Sequence, residues 1–256
     1  MITAGGKAKI FDFEKQSVLH FFKESKDYEE TKQIYSLFSP FFEIPAQEFV
    51  DEELLIREKY IAPNSNIYRS EKLHNNILKD YYERFNDYLR NCSSTEKFNV
   101  CSPRVLLESM SQSLLNSGLG QNVLQLLFDS ETNEWLQVMC HGDLWFENIL
   151  IGGTFYIIDW EHAGEYLFFY DFFHYAITEY MRKGDASIVH RYFMGQFDYI
   201  FNELFEIVGL TYRDEERLLY FGLSVLQKAT NLNRLGMIDQ VARWLEFAEH
   251  LIAKYS

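Results

Sequence analysis

The sequence predicts an α+β chain in two parts, a small N-terminal lobe on an antiparallel sheet (residues 1–61) and a larger, mainly helical C-terminal lobe (residues 62–256). Three observations predict it. Short apolar runs separated by turn residues fill the first part, as strands with one buried face do. Past it, apolar residues recur at helical spacing over long stretches. Between Trp135 and Ile158, three short apolar runs surround one polar loop and interrupt that helical pattern.

The near-alternating segment Lys7 to Phe13, the turn Glu14-Lys15-Gln16 and the run Ser17 to Lys23 read as strand, turn, strand. Asp27 to Phe38 reads as a helix with Tyr28, Ile34, Tyr35 and Leu37 apolar, and Pro45 prevents its continuation. Glu48 to Val50 and Leu54 to Ile61 complete one small sheet, after which Ala62-Pro63-Asn64-Ser65-Asn66 is turn-rich linker. Ser70 to about Asn91 is helical, with Leu73, Ile77, Leu78, Tyr81, Phe85 and Leu89 on one stripe and Ser70 suited to its N-terminus. Arg104 to Phe128 is a second helical region, broken or kinked at Gly118-Leu119-Gly120. Trp135 to Cys140, Asn148 to Ile151 and Thr154 to Ile158 are strand-like, with Gly152-Gly153 as the turn between the last two. Phe168 to Tyr175 is apolar almost all round, as a helix inside a large core should be; further helices are expected from Gly184-Asp185 to about Val208, from Asp214, and from Gln240 to Lys254.

Composition narrows the function. The apolar fraction of 47% is that of an ordinary globular protein, no run approaches a membrane span, and no signal peptide is indicated, so a cytoplasmic protein is expected. The three cysteines, Cys92, Cys101 and Cys140, have no metal-ligand spacing, which argues against zinc and against a disulfide framework. A net charge of −14 disfavours nucleic acid and anionic membranes as partners and favours a cationic substrate. Aromatic residues, 23 Phe and 17 Tyr among them, are numerous enough to dominate core packing, with a ring-lined ammonium pocket as the alternative use.

The chemistry is concentrated in Cys140-His141-Gly142-Asp143-Leu144-Trp145-Phe146-Glu147-Asn148 and in Ile158-Asp159-Trp160-Glu161. The loop presents a carboxylate at Asp143 and an amide oxygen at Asn148, and the following hairpin returns a second carboxylate, Asp159, to the same end. Phosphoryl transfer from a nucleotide asks for these parts. The nucleophilic hydroxyl needs an acceptor for its proton, and metal ions on the polyphosphate need hard oxygen ligands. Positioning and charge stabilisation are then the protein's main task.

His-Gly-Asp, four residues and Asn, followed by Asp-Trp-Glu, resembles the aminoglycoside phosphotransferase and choline kinase family, the small-molecule branch of the protein-kinase-like fold. The specific core is Val138 to Asp171. The resemblance implies an ATP- and Mg2+-dependent kinase acting on a hydroxyl of a small molecule, with Asp143 as catalytic base and Asn148 and Asp159 as metal ligands. His141 would brace the loop and Asp171 would bond it from below; Trp160 is expected to pack, and Glu161 either to face the substrate or to cap its segment. A lysine on the family's third strand reaches the phosphates and is held by a glutamate on the next helix. Lys23 with Glu30 is the expected pair, Glu29 and Lys9 being the competing choices. Gly5 and Gly6 are candidates for backbone approach to phosphates, and the base would bond to backbone near Lys59, Tyr60 and Ile61. The family has a longer first strand than the little that precedes Gly5 here, which implies a looser grip on nucleotide or a lid completed by a partner.

The acceptor is left open among a sugar or glycan precursor, an amino alcohol such as choline, and an aminoglycoside. A catalytically silent nucleotide-binding protein is the alternative. A protein substrate fits less well, since neither Asp-Phe-Gly nor Ala-Pro-Glu is present. Nothing in the sequence sets the oligomeric state.

Overall fold

The computed structural model describes residues 8–62, 69–94, 98–130, 132 and 134–255. Gly5, Gly6 and residues 63–66 of the expected linker lie outside them. The chain forms two compact units, one of residues 1–88 with 146–163 and one of residues 89–145 with 164–256. The compact division therefore falls well beyond residue 61.

The first unit is built on a four-stranded antiparallel sheet of order β1-β2-β4-β3, comprising β1 (Ala8–Asp12), β2 (Ser17–Phe21), β3 (Gln47–Val50) and β4 (Leu55–Lys59). In its register Lys9 stands opposite His20 and Val18 opposite Glu58. Helix α1 (Ser25–Phe38) follows β2 and buries Tyr28, Thr31, Tyr35 and Phe38. Helix α2 (Glu71–Ser94) starts where the Ser70 hydroxyl accepts from Leu73 N at 3.2 Å, and its residues up to Tyr88 belong to this unit.

Aromatic packing explains why this unit extends beyond the sheet. Phe38 stacks on Trp160 with centroids 4.3 Å apart, and Phe42 contacts both Trp160 (5.5 Å) and Tyr81 of α2 (5.1 Å). A backbone bond of 2.9 Å from Ile157 N to Glu43 O ties in the later hairpin. Rings of this size contribute the largest buried areas in the unit, so the break in packing follows them rather than the linker.

The second unit carries a three-stranded antiparallel sheet of order β5-β6-β9 and the remaining helices. Strand β5 (Asn99–Cys101), helices α3 (Pro103–Glu108), α4 (Gln112–Leu115) and α5 (Gly118–Asp129), and strand β6 (Trp135–Cys140) follow in order. The expected long helix with a glycine break is thus three short ones, and Gly118 and Gly120 begin the last of them. The Ser117 hydroxyl caps α5 by accepting from Gly120 N at 3.1 Å.

The hairpin of β7 (Ile149–Ile151) and β8 (Phe155–Ile157) is a separate two-stranded sheet in the first unit. The three apolar runs around the polar loop therefore do not share a sheet. The partner of β6 is instead β9 (Gly164–Leu167), a strand whose short sequence carries no alternation of its own.

Helix α6 (Tyr170–Lys183) buries ten consecutive residues, Tyr170 to Glu179. The expected helix from Gly184 to Val208 divides into α7 (Ser187–Phe193) and α8 (Asp198–Ile207), with Gly195 at positive φ between them. Helices α9 (Arg217–Arg234) and α10 (Ile238–Tyr255) complete the unit. A Cβ on Gly222 of α9 would stand 2.4 Å from Val123 Cγ2, so α5 and α9 approach as closely as they do only because that position has no side chain.

Glu58 on β4 is 7% exposed, and burial pushes its carboxyl up to about 7. A carboxyl held above its unfolded value of 4.5 favours folding while protonated, and that contribution fades as pH rises through about 7. At about 1.4 kcal/mol per unit the loss is about 3 kcal/mol. In urea titrations between pH 4.5 and 7.5, the Glu58→Gln variant should lose clearly less stability with rising pH than the parent. Parallel profiles would remove Glu58 as the cause.

Candidate active site

The loop after β6 is held from beneath by one buried carboxylate. Asp171, in the first turn of α6 and 1% exposed, accepts from His141 N (2.8 Å) at one oxygen and from Gly142 N (2.9 Å) at the other. Gly142 turns the chain at φ +76°, a conformation that strains any residue with a Cβ, and so frees both amides for this contact. His141 is fully buried and its Nδ1 accepts from Asp143 N at 3.2 Å, which places the proton of the neutral ring on Nε2.

Asp143 emerges from this loop with its side chain 28% exposed. Its Oδ1 lies 3.3 Å from His174 Nε2 and 3.6 Å from Lys228 Nζ. His174 Nδ1 stands 2.9 Å from Leu144 O, and a carbonyl only accepts, so Nδ1 carries a hydrogen. The contact between Nε2 and Oδ1 is then a hydrogen bond when either the imidazole or the carboxylate holds one further proton. Burial lowers the pKa of Lys228, with Asp143 and then Asp171 opposing.

A cavity of about 420 Å³ opens on Asp143. Its walls include Trp145 and Trp244, the polar Thr178 and Gln240, and the cations Arg182, Lys228 and Arg243. Sequence reasoning missed His174, Lys228, Arg182 and Arg243. His174 had a signal, since it stands three residues after Asp171 on one helical face. The others come from helix positions with no local motif.

In the first unit, Asn148 ends a helical turn at residues 146–148 and is 6% exposed. Its backbone oxygen accepts from Ile158 N at 3.0 Å, so the β7–β8 hairpin closes beside Asp159. Asp159 has φ +65°, sparsely populated for a residue other than glycine and found mostly where surrounding contacts enforce it. Lys9 Nζ reaches Asp159 Oδ1 at 2.7 Å and Glu161 Oε1 at 2.8 Å. Burial alone would lower the Lys9 pKa, but the two carboxylates outweigh it and leave the ammonium above its ordinary value. Glu161 therefore pairs with a strand lysine, while Trp160 packs on Phe38 and donates its indole N–H to Ile157 O at 3.1 Å.

The expected Lys23–Glu30 pair is not formed. Lys23 is exposed just past β2, and Glu30 faces solvent 3.7 Å from Lys26. The lysine at the carboxylates is Lys9, which β1 carries there because its side chain shares a face with His20 opposite, and both line a pocket with Asp159. Of the amides near the expected base site, Lys59 N donates to Ala46 O and Tyr60 N to Gln16 O, each at 2.8 Å. Among the described residues, the Ile61 amide is the one of the three without a backbone acceptor.

The donors Asp159, Glu161 and Asn148 are hard oxygens of the kind Mg2+ takes, and the Asp159–Glu161 pair already gathers around a cation, the Lys9 ammonium. Among the described residues no three His, Cys, Asp or Glu side chains form a metal-binding group.

The sequence model described as the phosphotransferase enzyme family matches residues 66–204, more than half of the chain. No curated protein matches the sequence. Among solved structures, the GDP complex of wild-type aminoglycoside 2′-phosphotransferase-IIIa is similar at TM-score 0.58 and 12% identity, over 98% of this chain and 90% of the other. A thermostable mutant of the aminoglycoside phosphotransferase APH(4)-Ia matches at 0.53 and 13%, over 97% and 94%. The choline kinase LicA from Streptococcus pneumoniae matches at 0.50 and 13%, over 95% and 89%. At these identities the likeness is one of fold, the protein-kinase-like fold with an antiparallel-sheet part and a mainly helical part.

The Asp171 clamp predicts a stability effect. Asp171→Ala leaves two buried amides unsatisfied and should lower unfolding stability by about 3 kcal/mol or more. Asp171→Asn, with a single amide oxygen to accept, should lie between it and the parent. An Asn variant as stable as the parent in urea would show that the second oxygen contributes nothing.

Proposed function

Since the chain belongs to the phosphotransferase enzyme family, we propose that it moves the γ-phosphoryl group of ATP to a hydroxyl of a small molecule. The observation that carries this reading is the Asp143 carboxylate, held on a braced loop and opening on a cavity of small-molecule size. A purine nucleotide as donor is supported by similar structures, which contain GDP in one case and AMP in another.

In this reading Asp143 orients the acceptor hydroxyl and takes its proton as the oxygen attacks the γ-phosphorus. The bond from phosphorus to the β,γ-bridging oxygen breaks, and its electron pair leaves with ADP. His174 is a positioning residue, since its Nε2 can share the proton that Asp143 acquires. Lys228 holds the carboxylate by charge. Asn148 and Asp159 would hold magnesium, which supplies charge neutralisation to the polyphosphate when bound. Lys9 takes the phosphate-neutralising role first expected of Lys23, and the Ile61 N–H is the donor available to the base.

Removal of the base should be felt in turnover alone. Asp143→Asn should reduce product formation by roughly 10³-fold while leaving nucleotide affinity nearly unchanged. Measured by ADP release and by nucleotide titration, a variant that keeps most of the parental rate would refute the assigned role. Acceptor-independent nucleotide binding with no turnover on any polyol or amino alcohol would favour a silent binding protein.

The two lysines separate cleanly. Lys9→Met should lower kcat/KM for ATP by roughly 10²-fold, whereas exposed Lys23→Met should remain close to the parent. The reverse ranking would restore the pairing expected from the sequence. Asp159→Ala should weaken nucleotide binding in the presence of magnesium and have little effect without it.

A further inference from the structure

The cavity at Asp143 has a charge opposite to that of the protein. The chain has 38 acidic against 24 basic residues, yet Arg182, Lys228 and Arg243 line the cavity while Asp143 is the one acid among the described residues that line it. Lys228 is committed to Asp143. Arg182, in the last turn of α6, and Arg243, on α10, are different: among the described residues no carboxylate forms an ion pair with either. Glu246, one turn along α10 from Arg243, lines an adjoining cavity rather than this one.

The aromatic walls lead to the same conclusion. A cage for an ammonium group needs open ring faces. Here the Arg182 guanidinium lies 5.0 Å from the Trp145 ring centroid, and Lys228 Nζ lies 6.0 Å from that of Trp244. The protein's own cations already occupy the positions an ammonium ligand would take. A second cation entering beside them would meet repulsion on three sides and find one carboxylate, itself already paired.

We infer that this cavity takes a hydroxylated anion, a small molecule whose carboxylate or phosphate monoester is held by Arg182 and Arg243 while a hydroxyl of the same molecule faces Asp143. Guanidinium suits the task, because its planar donors match both anions in a two-pronged contact. Thr178 and Gln240 supply neutral donors and acceptors for further hydroxyls. The inference rests on Asp143 being the acceptor-side base, and it runs against the cationic substrate that net charge alone favours.

Two measurements on the full chain separate this inference from the phosphotransfer reading. In the first, without nucleotide, gluconate, glucose 6-phosphate, sorbitol, choline and kanamycin are titrated by calorimetry. At least one of the two anions should bind ten-fold or more tightly than sorbitol, choline and kanamycin, and their order identifies carboxylate or phosphate as the preferred group. The double variant Arg182→Gln, Arg243→Gln should lose that preference while sorbitol affinity and the circular dichroism spectrum stay the same. Equal affinities throughout, or tighter binding of choline or kanamycin, would overturn the inference.

In the second, ADP release is followed with the same five compounds. Turnover confined to choline or kanamycin would overturn the anionic acceptor and leave a kinase. Selective anion binding with no turnover on any of the five would support the anion site and count against phosphotransfer.

Discussion

The candidate site in the helical unit depends on the contact between the Asp171 carboxylate and the amides of His141 and Gly142. A carboxylate buried among Phe172, Phe173 and Tyr170 would cost several kcal/mol without partners. Two charge-assisted hydrogen bonds offset that cost, and they exist only while the loop keeps its turn at Gly142. Core and loop are therefore coupled. The same helix face then presents His174, which grips Leu144 O with one nitrogen and meets Asp143 with the other. One turn of α6 thus controls both the backbone and the side chain of the proposed base.

In the sheet unit the controlling interaction is the Lys9 ammonium between Asp159 and Glu161. Without a cation, two carboxylates within reach of one ammonium would repel each other. Lys9 offsets that repulsion, and the left-handed backbone at Asp159 is held by the hairpin closure on one side and Trp160 packing on the other. A lysine on a strand is well suited to this, because the sheet register fixes its origin and leaves only its own rotamers to settle.

Charge in this protein illustrates how far net values mislead at short range. Screening at physiological salt limits exposed charges to about 8 Å, so a total of −14 says little about a cavity lined by Arg182, Lys228 and Arg243. The basic residues at the cavity come from three separate helices, α6, α9 and α10. Composition is a sum over the chain and cannot register that placement.

The sequence by itself determined the strands β1 to β4, helices α1 and α2, the hairpin with its Gly152-Gly153 turn, and the family, because periodicity, turn residues and a spaced motif are local properties. It also marked Asp143, Asn148, Asp159 and Asp171, which lie inside that motif. Strand β9, too short to show alternation, was decided by its pairing with β6. The division of the helices at residues 109–117 and at Gly195 was decided by packing and capping. The meeting of Lys9, rather than Lys23, with Asp159 and Glu161, and the gathering of His174, Lys228, Arg182 and Arg243 at the cavity of Asp143, were decided only by the tertiary structure. Such contacts join residues distant in the chain, and no local pattern records which distant side chains will meet.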